Sequence, residues 1–287
     1  MITLKDIKRL ELVDEHLLRY LLSSHRKSPI EMLYLESGVQ PIRYTIRMRR
    51  ILYMQTLLKR DENELTKRVL NAQFRNPCSG DFVKLVEDDC SELDIEFDIT
   101  MFENTSKIAL KKILKFKTKS KALEYLNSLK KEHSKVRYIS HRKLETQEYL
   151  VSNVISNEEA RLLFSLRTST LKVFKANFPK MYKNCLHCPL NCWEQHEKAP
   201  LDTQEHMLHC KKLNVSGVDT VSLSKIEYSN LFSDLKKQKE IAVLYQQLLQ
   251  QRETISGRPD PVNTLDPSTV LHQCCDDPIN AIPILFC

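Results

Sequence analysis

The stretch CLHCPLNCWEQHEKAPLDTQEHMLHC, Cys185 to Cys210, holds four metal-type ligands within 26 residues: Cys185-x2-Cys188, then seventeen residues, then His206-x3-Cys210. Two thiolates on one tight turn, with an imidazole and a thiolate one helical turn apart, can surround a single tetrahedral Zn²⁺. Asp202-Thr203-Gln204-Glu205 reads as a capping box, with Asp202 as the cap and Glu205 reaching back, so a helix is predicted to start there. On that helix His206 and Cys210 share a face. The competing account is two chance pairs in a cysteine-rich chain. Four of the nine cysteines (Cys185, Cys188, Cys192 and Cys210) crowd into this window, which favours a site. Cys192, His196 and His209 are close enough to compete for a coordination position, Cys192 most seriously. A closed four-ligand shell leaves no position for water, so a structural zinc is expected, contributing folding energy and not hydrolysis. On this assignment serine at Cys188 abolishes metal binding and serine at Cys192 does not.

Outward from that window the chain reads as helices. Thr3 is expected to open one running to about Ser24, with Leu4, Ile7, Leu10, Val13, Leu17 and Leu21 as its buried stripe. Ser28-Pro29 starts a short helix that Gly38 closes, and Pro41 starts the next. Further helices are predicted from about Glu62 to Arg75 and after Asp81. Asp94 to Ile99 alternates polar and apolar residues and can be a short strand or an extended linker. Two basic helices follow, about Ser106 to Phe116 and Lys119 to Lys131, and Ser156-Asn157-Glu158-Glu159 is a second capping box. Ser224 to Ser256 is amphipathic and fits packing on the body better than a coiled coil. The proline-rich segment after Gly257 is expected to be irregular or disordered.

Only four glycines occur, all isolated, and a phosphate-cradling loop needs them at fixed short offsets. Their scarcity argues for a mainly α fold: a helical bundle with a small Cys-Cys-His-Cys zinc-binding element and a disordered tail. The expected regions are 1–104 (helical), 105–180 (basic helical), 181–213 (zinc element), 214–256 (amphipathic helix) and 257–287 (tail). No stretch approaches the ~18–20 apolar residues that span a bilayer. Lys5, Asp6, Lys8 and Arg9 interrupt the start in a way no signal peptide would. With zinc-type cysteine clustering, this predicts an intracellular protein of the nucleus or cytoplasm, not secreted and without a membrane partner.

Charge is segregated along the chain. Residues 85–104 carry eight acids and no base, whereas residues 107–143 carry thirteen bases and two acids, a window of +11 against +7 for the whole protein. Such polarity points to a polyanion partner, RNA or DNA, with a solvated helix face as the alternative. The candidate phosphate contacts are Lys107, Lys111, Lys112, Lys115, Lys117, Lys119, Lys121, Arg137, Arg142 and Lys143, with Arg43, Arg47, Arg49 and Arg50 as a second patch. Phe116, Tyr125 and Tyr138 lie in the basic window and can stack on bases, although core positions are the expectation for two of them. No nucleophile elbow, His-Glu-x-x-His helix or oxyanion-type glycine loop occurs. Asp88-Asp89 sits on a predicted helix among other acids and reads as a solvated face. Pro259-Asp260 has no downstream glutamate or lysine to complete a nuclease site. Catalysis by this chain alone is therefore not expected.

Several segments resemble the region downstream of the polymerase in non-LTR retrotransposon reverse transcriptases. They are Ile30 to Gly38 with Pro41-Ile42-Arg43 and Arg49-Arg50-Ile51, Asn76 to Phe82, Asp202 to Cys210, and Tyr228 to Phe232 with the helix after it. By position the family's zinc ligands fall on Cys185, Cys188, His206 and Cys210. The resemblance implies a region that lies between polymerase and endonuclease and helps grip template RNA and target DNA. Fingers, palm and endonuclease motifs have no counterpart here, so it implies a binding fragment of such an element. A helical protein-binding scaffold is the alternative, with 224–256 as a partner or homodimer surface and the acidic 87–98 stretch docking a basic partner or the chain's own basic window. A piece of an RNA-directed DNA polymerase lacking its palm is the third possibility.

Overall fold

Six consecutive residues of one short helix, Glu31 to Glu36, are buried. The computed structural model describes residues 4–24, 26–132, 136, 139, 141–171, 188–190, 192, 200–208, 210–213, 232 and 234–256. The chain divides into two compact units, 1–170 and 171–287. The described residues form eleven α-helices and no strand, so the fold is mainly α.

The first unit holds α1 (Leu4–Leu21), α2 (Ile30–Ser37), α3 (Ile42–Leu58), α4 (Leu65–Arg75), α5 (Phe82–Glu92), α6 (Ile99–Asn104), α7 (Lys107–Glu132), α8 (Glu148–Val151) and α9 (Asn157–Arg167). Pro41 precedes α3, where its missing N–H costs nothing. The Ser156 capping box of α9 forms in full: Ser156 Oγ accepts from Glu159 N–H, and Glu159 Oε2 accepts from Ser156 N–H at 2.7 Å. Helix α3 packs on α7, α5, α1, α4 and α6, while α2 lies against α1 and α7. Because α7 shares the core of α2 and α3, the break expected at 104 falls inside this unit.

Three local expectations change. Asp94 to Asp98 is a linker with no ladder partner. The two basic helices are one, because nothing between Phe116 and Lys119 breaks a helix. Its buried row (Leu110, Leu114, Thr118, Ala122, Leu126, Lys130) advances by strict four-residue steps, so the row winds about 40° per step around the helix. On α1 the inward row is Ile7, Glu11 and Leu18, with Asp14 half-buried; Leu10, Val13, Leu17 and Leu21 are exposed together with Tyr20. Glu11 and Asp14 can face inward because Arg43 donates to Glu11 and Tyr34 Oη donates to Asp14 Oδ2 at 3.0 Å.

The end of α2 is locked to a distant segment. Gly38 adopts φ +70° as the left-handed C-cap, Gln147 N–H donates to Glu36 O at 2.9 Å, and Thr146 Oγ1 donates to Ser37 O at 2.8 Å. A Cβ on Gly38 would run into the backbone of Glu145 and Thr146. Gly38→Ala is therefore expected to destabilise the unit by at least about 2 kcal/mol, combining left-handed strain with that backbone collision. Denaturant unfolding followed by helicity checks this, and an unchanged midpoint would contradict it.

Beneath the cap lies a fully buried ionic cluster. Arg167 Nη2 donates to Glu36 Oε1 at 2.9 Å, and Arg167 Nε donates to Oε2 at 3.0 Å. Tyr149 Oη donates to Glu36 Oε2 at 2.8 Å, and His141 Nε2 lies 2.9 Å from Oε1. Lys130 Nζ lies 3.3 Å from His141 Nδ1. Burial pushes the Glu36 carboxyl up, but Arg167 and His141 outweigh it and hold the pKa down at about 2.

In the second unit, α10 (Gln204–Met207) is a single turn and α11 (Leu235–Ser256) is long. The apolar face of α11 (Ile241, Ala242, Leu244, Tyr245, Leu248, Leu249) is buried. The tail at 257–287 lies outside the described residues.

Candidate metal centre and basic helix face

The sulfurs of Cys188, Cys192 and Cys210 and a ring nitrogen of His206 all lie within 4.8 Å of one another. Cys188 Sγ and Cys210 Sγ are 3.9 Å apart, and Cys192 Sγ is 3.2 Å from His206 Nε2. Four ligands on a tetrahedral ion with metal–sulfur bonds of about 2.3 Å would show S···S near 3.8 Å and S···N near 3.6 Å. The cluster could therefore hold a metal ion. Three of the four residues chosen by spacing converge here. The fourth donor is Cys192, which spacing had left as the competitor; Cys185, His196 and His209 lie outside the described residues.

The local chain explains how these side chains meet. Cys188 N–H donates to Pro200 O at 3.0 Å, closing the loop between the ligand pairs. Thr203, and not Asp202, is the N-cap of α10: its hydroxyl accepts from His206 N–H at 3.0 Å and so fixes the ligand's own backbone. The helix ends at Met207, so Cys210 reaches the cluster from the turn beyond it and does not share a helix face with His206. Asp202 turns instead to Arg252 of α11, a buried pair at 2.8 and 2.9 Å. Tyr245 Oη donates to Gln204 O at 2.7 Å. These two contacts tie the His206 turn to α11, the kind of outer support that orients metal ligands.

Leu190, Met207, Leu208 and Leu213 are buried beside the cysteines, which are themselves buried. The hydrogen bond between Cys188 and Cys210 lowers the Cys210 thiol and, together with burial, pushes the Cys188 thiol up.

The basic window is only partly free. Lys107, Lys111, Lys112, Lys115 and Lys119 are exposed along α7, as are Arg142 and Lys143 beyond it. None of the five helix lysines has an ion-pair partner among the described residues. Lys121 instead binds Asp94 Oδ2 at 2.6 Å, and Lys117 donates to Asp94 O at 3.1 Å. Arg137 lies outside the described residues.

Most of the second patch is engaged within the unit. Arg43 pairs with Glu11, Arg50 with Asp89 at 2.7 Å, and Arg47 with Asp89 and Glu92 at 3.5 Å each. Arg49 is exposed. The Asp88-Asp89 pair is therefore not one solvated face. Asp88 is exposed, whereas Asp89 is buried, and burial pushes its carboxyl up to about 6 against the opposing pull of Arg50 and Arg47. Part of the acidic stretch docks on the chain's own bases.

Of the aromatics, Phe116 is 69% exposed. Tyr125 is half-buried against Tyr44 and under Arg43, and Tyr138 lies outside the described residues. Among the described residues no helix is long and apolar enough to cross a membrane. Comparison with protein-family models, curated proteins and solved structures returned no match.

Proposed function

We propose that the chain is a non-catalytic nucleic-acid-binding module of retroelement reverse-transcriptase descent, stabilised by zinc and working in the nucleus or cytoplasm. It grips RNA or DNA backbone through the outer face of α7. The carrying observation is the set of exposed lysines, Lys107, Lys111, Lys112, Lys115 and Lys119, presented on one continuous helix. Lysines so placed neutralise phosphates and release counterions, which supplies affinity without sequence specificity. Arg142, Lys143 and Arg49 extend the contact, while Arg43, Arg47 and Arg50 are engaged within the unit. The likeness of Ile30–Gly38 and Asp202–Cys210 to the post-polymerase region supports the same reading. Three thiolates and an imidazole form a soft, closed donor set that suits Zn²⁺. Cys188, Cys192, His206 and Cys210 would hold the ion, and its chemistry there is to fix the loop and α10.

A mobility-shift titration with single-stranded RNA and duplex DNA tests the function. Binding is expected at about 50 mM salt, weakening on the order of a hundredfold by about 200 mM for roughly five phosphate contacts. Lysine-to-glutamate reversal at Lys111, Lys112 and Lys115 should remove the shift with helicity unchanged. No shift by the parent chain at the lower salt would sink the proposal. It would favour a helical protein-binding scaffold, the reading that the exposed Leu10, Val13, Leu17, Tyr20 and Leu21 of α1 support. Primer extension by the purified 287 residues would instead mark a polymerase piece.

A further inference from the structure

The lysine face of α7 is not purely polar. Ile108 is 84% exposed and Phe116 is 69% exposed, and both lie where a purely solvated basic helix would carry polar residues. At 3.6 residues per turn, Ile108, Lys112, Lys115, Phe116 and Lys119 share one side of the helix, with Lys111 at its edge. Opposite them run the buried Leu110 and Leu114. The sequence of this side is thus cation, ring, cation: Lys112 lies one turn before Phe116, with Lys115 and Lys119 flanking it. From Ile108 to Lys119 the face is about 16 Å long, room for a few nucleotides.

We infer that this face is a single-strand platform, on which Phe116 stacks an unpaired base while Lys112, Lys115 and Lys119 hold the phosphates on either side. The inference rests on the nucleic-acid reading above and narrows it to one ligand class. A duplex offers phosphates to the lysines but keeps its base faces inside the stack, out of reach of a ring on a convex helix. A single strand can turn a base out, and every base has a face for an aromatic ring to cover. Stacking of this kind tolerates any sequence, in keeping with lysines that do not read base edges. Ile108 adds apolar contact for a neighbouring base or sugar.

Fluorescence anisotropy with the full chain tests this, using labelled oligouridine and oligothymidine of about a dozen nucleotides, a duplex of equal phosphate number, and phosphatidylserine vesicles. The single strands are expected to bind more tightly than the duplex. Phe116→Ala should weaken single-strand binding about tenfold and leave duplex binding unchanged. Phe116→Trp should retain binding, with its emission quenched as the single strand is added; the parent chain, whose one tryptophan is Trp193, is the control. Because Phe116 is on the surface, unchanged helicity in both variants separates a binding defect from unfolding. Equal affinity for single strand and duplex, with no effect of Phe116→Ala, would overturn the inference and leave backbone binding standing. Vesicle binding lost in Phe116→Ala, without oligonucleotide binding, would overturn both and make the face a membrane contact. Failure to bind any oligonucleotide at about 50 mM salt removes the parent reading, and the inference with it.

Discussion

Glu36→Ala should cost the first unit about 3–5 kcal/mol, the usual penalty for leaving a buried charge without its partner. The carboxylate is fully buried and takes hydrogen bonds from Arg167, Tyr149 and His141, which arrive from α9, α8 and the segment before α8. Glu36→Gln keeps the volume but leaves the Arg167 guanidinium with no counter-charge, so a loss nearly as large is expected. Adding Arg167→Met to Glu36→Gln should restore a good part of it, since an apolar replacement of both partners removes the stranded charge. Equilibrium unfolding of the four proteins decides the matter, and a Glu36→Gln chain within about 0.5 kcal/mol of the parent would refute this account.

The cluster also sets a direction with pH. A carboxyl held at about 2 in the folded chain, against 4.5 ordinarily, stabilises the fold above about 4.5. That contribution fades as pH falls from there towards 2. The acid-dependent part of the stability should be smaller in Glu36→Gln.

The second large effect concerns the metal. Elemental analysis of the purified chain is expected to find about one zinc per molecule. Chelation should unfold the segment around residues 188–213, since closed sites of this type supply on the order of 10 kcal/mol to local folding. The loss should be visible as new protease cleavage between Cys188 and Leu213 and as reduced order in α11, which loses its Asp202–Arg252 and Tyr245–Gln204 ties. Cys188→Ser and Cys192→Ser should each abolish metal binding, whereas Cys185→Ser should retain it. Metal kept by Cys192→Ser and lost by Cys185→Ser would return the ligand set to the one suggested by spacing. A coloured, iron-containing product would overturn zinc while leaving the cluster in place.

How far the fold was legible depended on whether the deciding signal was local. The Ser156 capping box, the Gly38 terminus and the proline start of α3 each depend on residues within a few positions, and all three form. The row of α1 failed for a reason that periodicity cannot resolve. That helix carries two helical stripes, and its core side is the one bearing Glu11 and Asp14, acceptable there only because Arg43 and Tyr34 meet them. The arginine patch failed similarly: Asp89, which engages Arg50, is 39 residues away and reads as one more surface acid. In the metal cluster the Cys-x-x-Cys spacing drew attention to Cys185. The structure adds Cys192 beside His206, in a loop where Cys188 N–H bonds to Pro200 O, a closure no spacing rule encodes; Cys185 itself lies outside the described residues. Nothing near Glu36 in the sequence hints at its partners, which stand 105, 113 and 131 residues downstream.

Those separations bear on how the protein is born. As the chain leaves the ribosome, α1 to α3 emerge with a carboxylate in what will become their most secluded position, and its guanidinium is not synthesised until residue 167. Until then the nascent chain carries the Glu36 carboxylate without the guanidinium that meets it in the folded unit, 131 residues downstream. A chain ending before α9 lacks Arg167 and so leaves that carboxylate without its counter-charge.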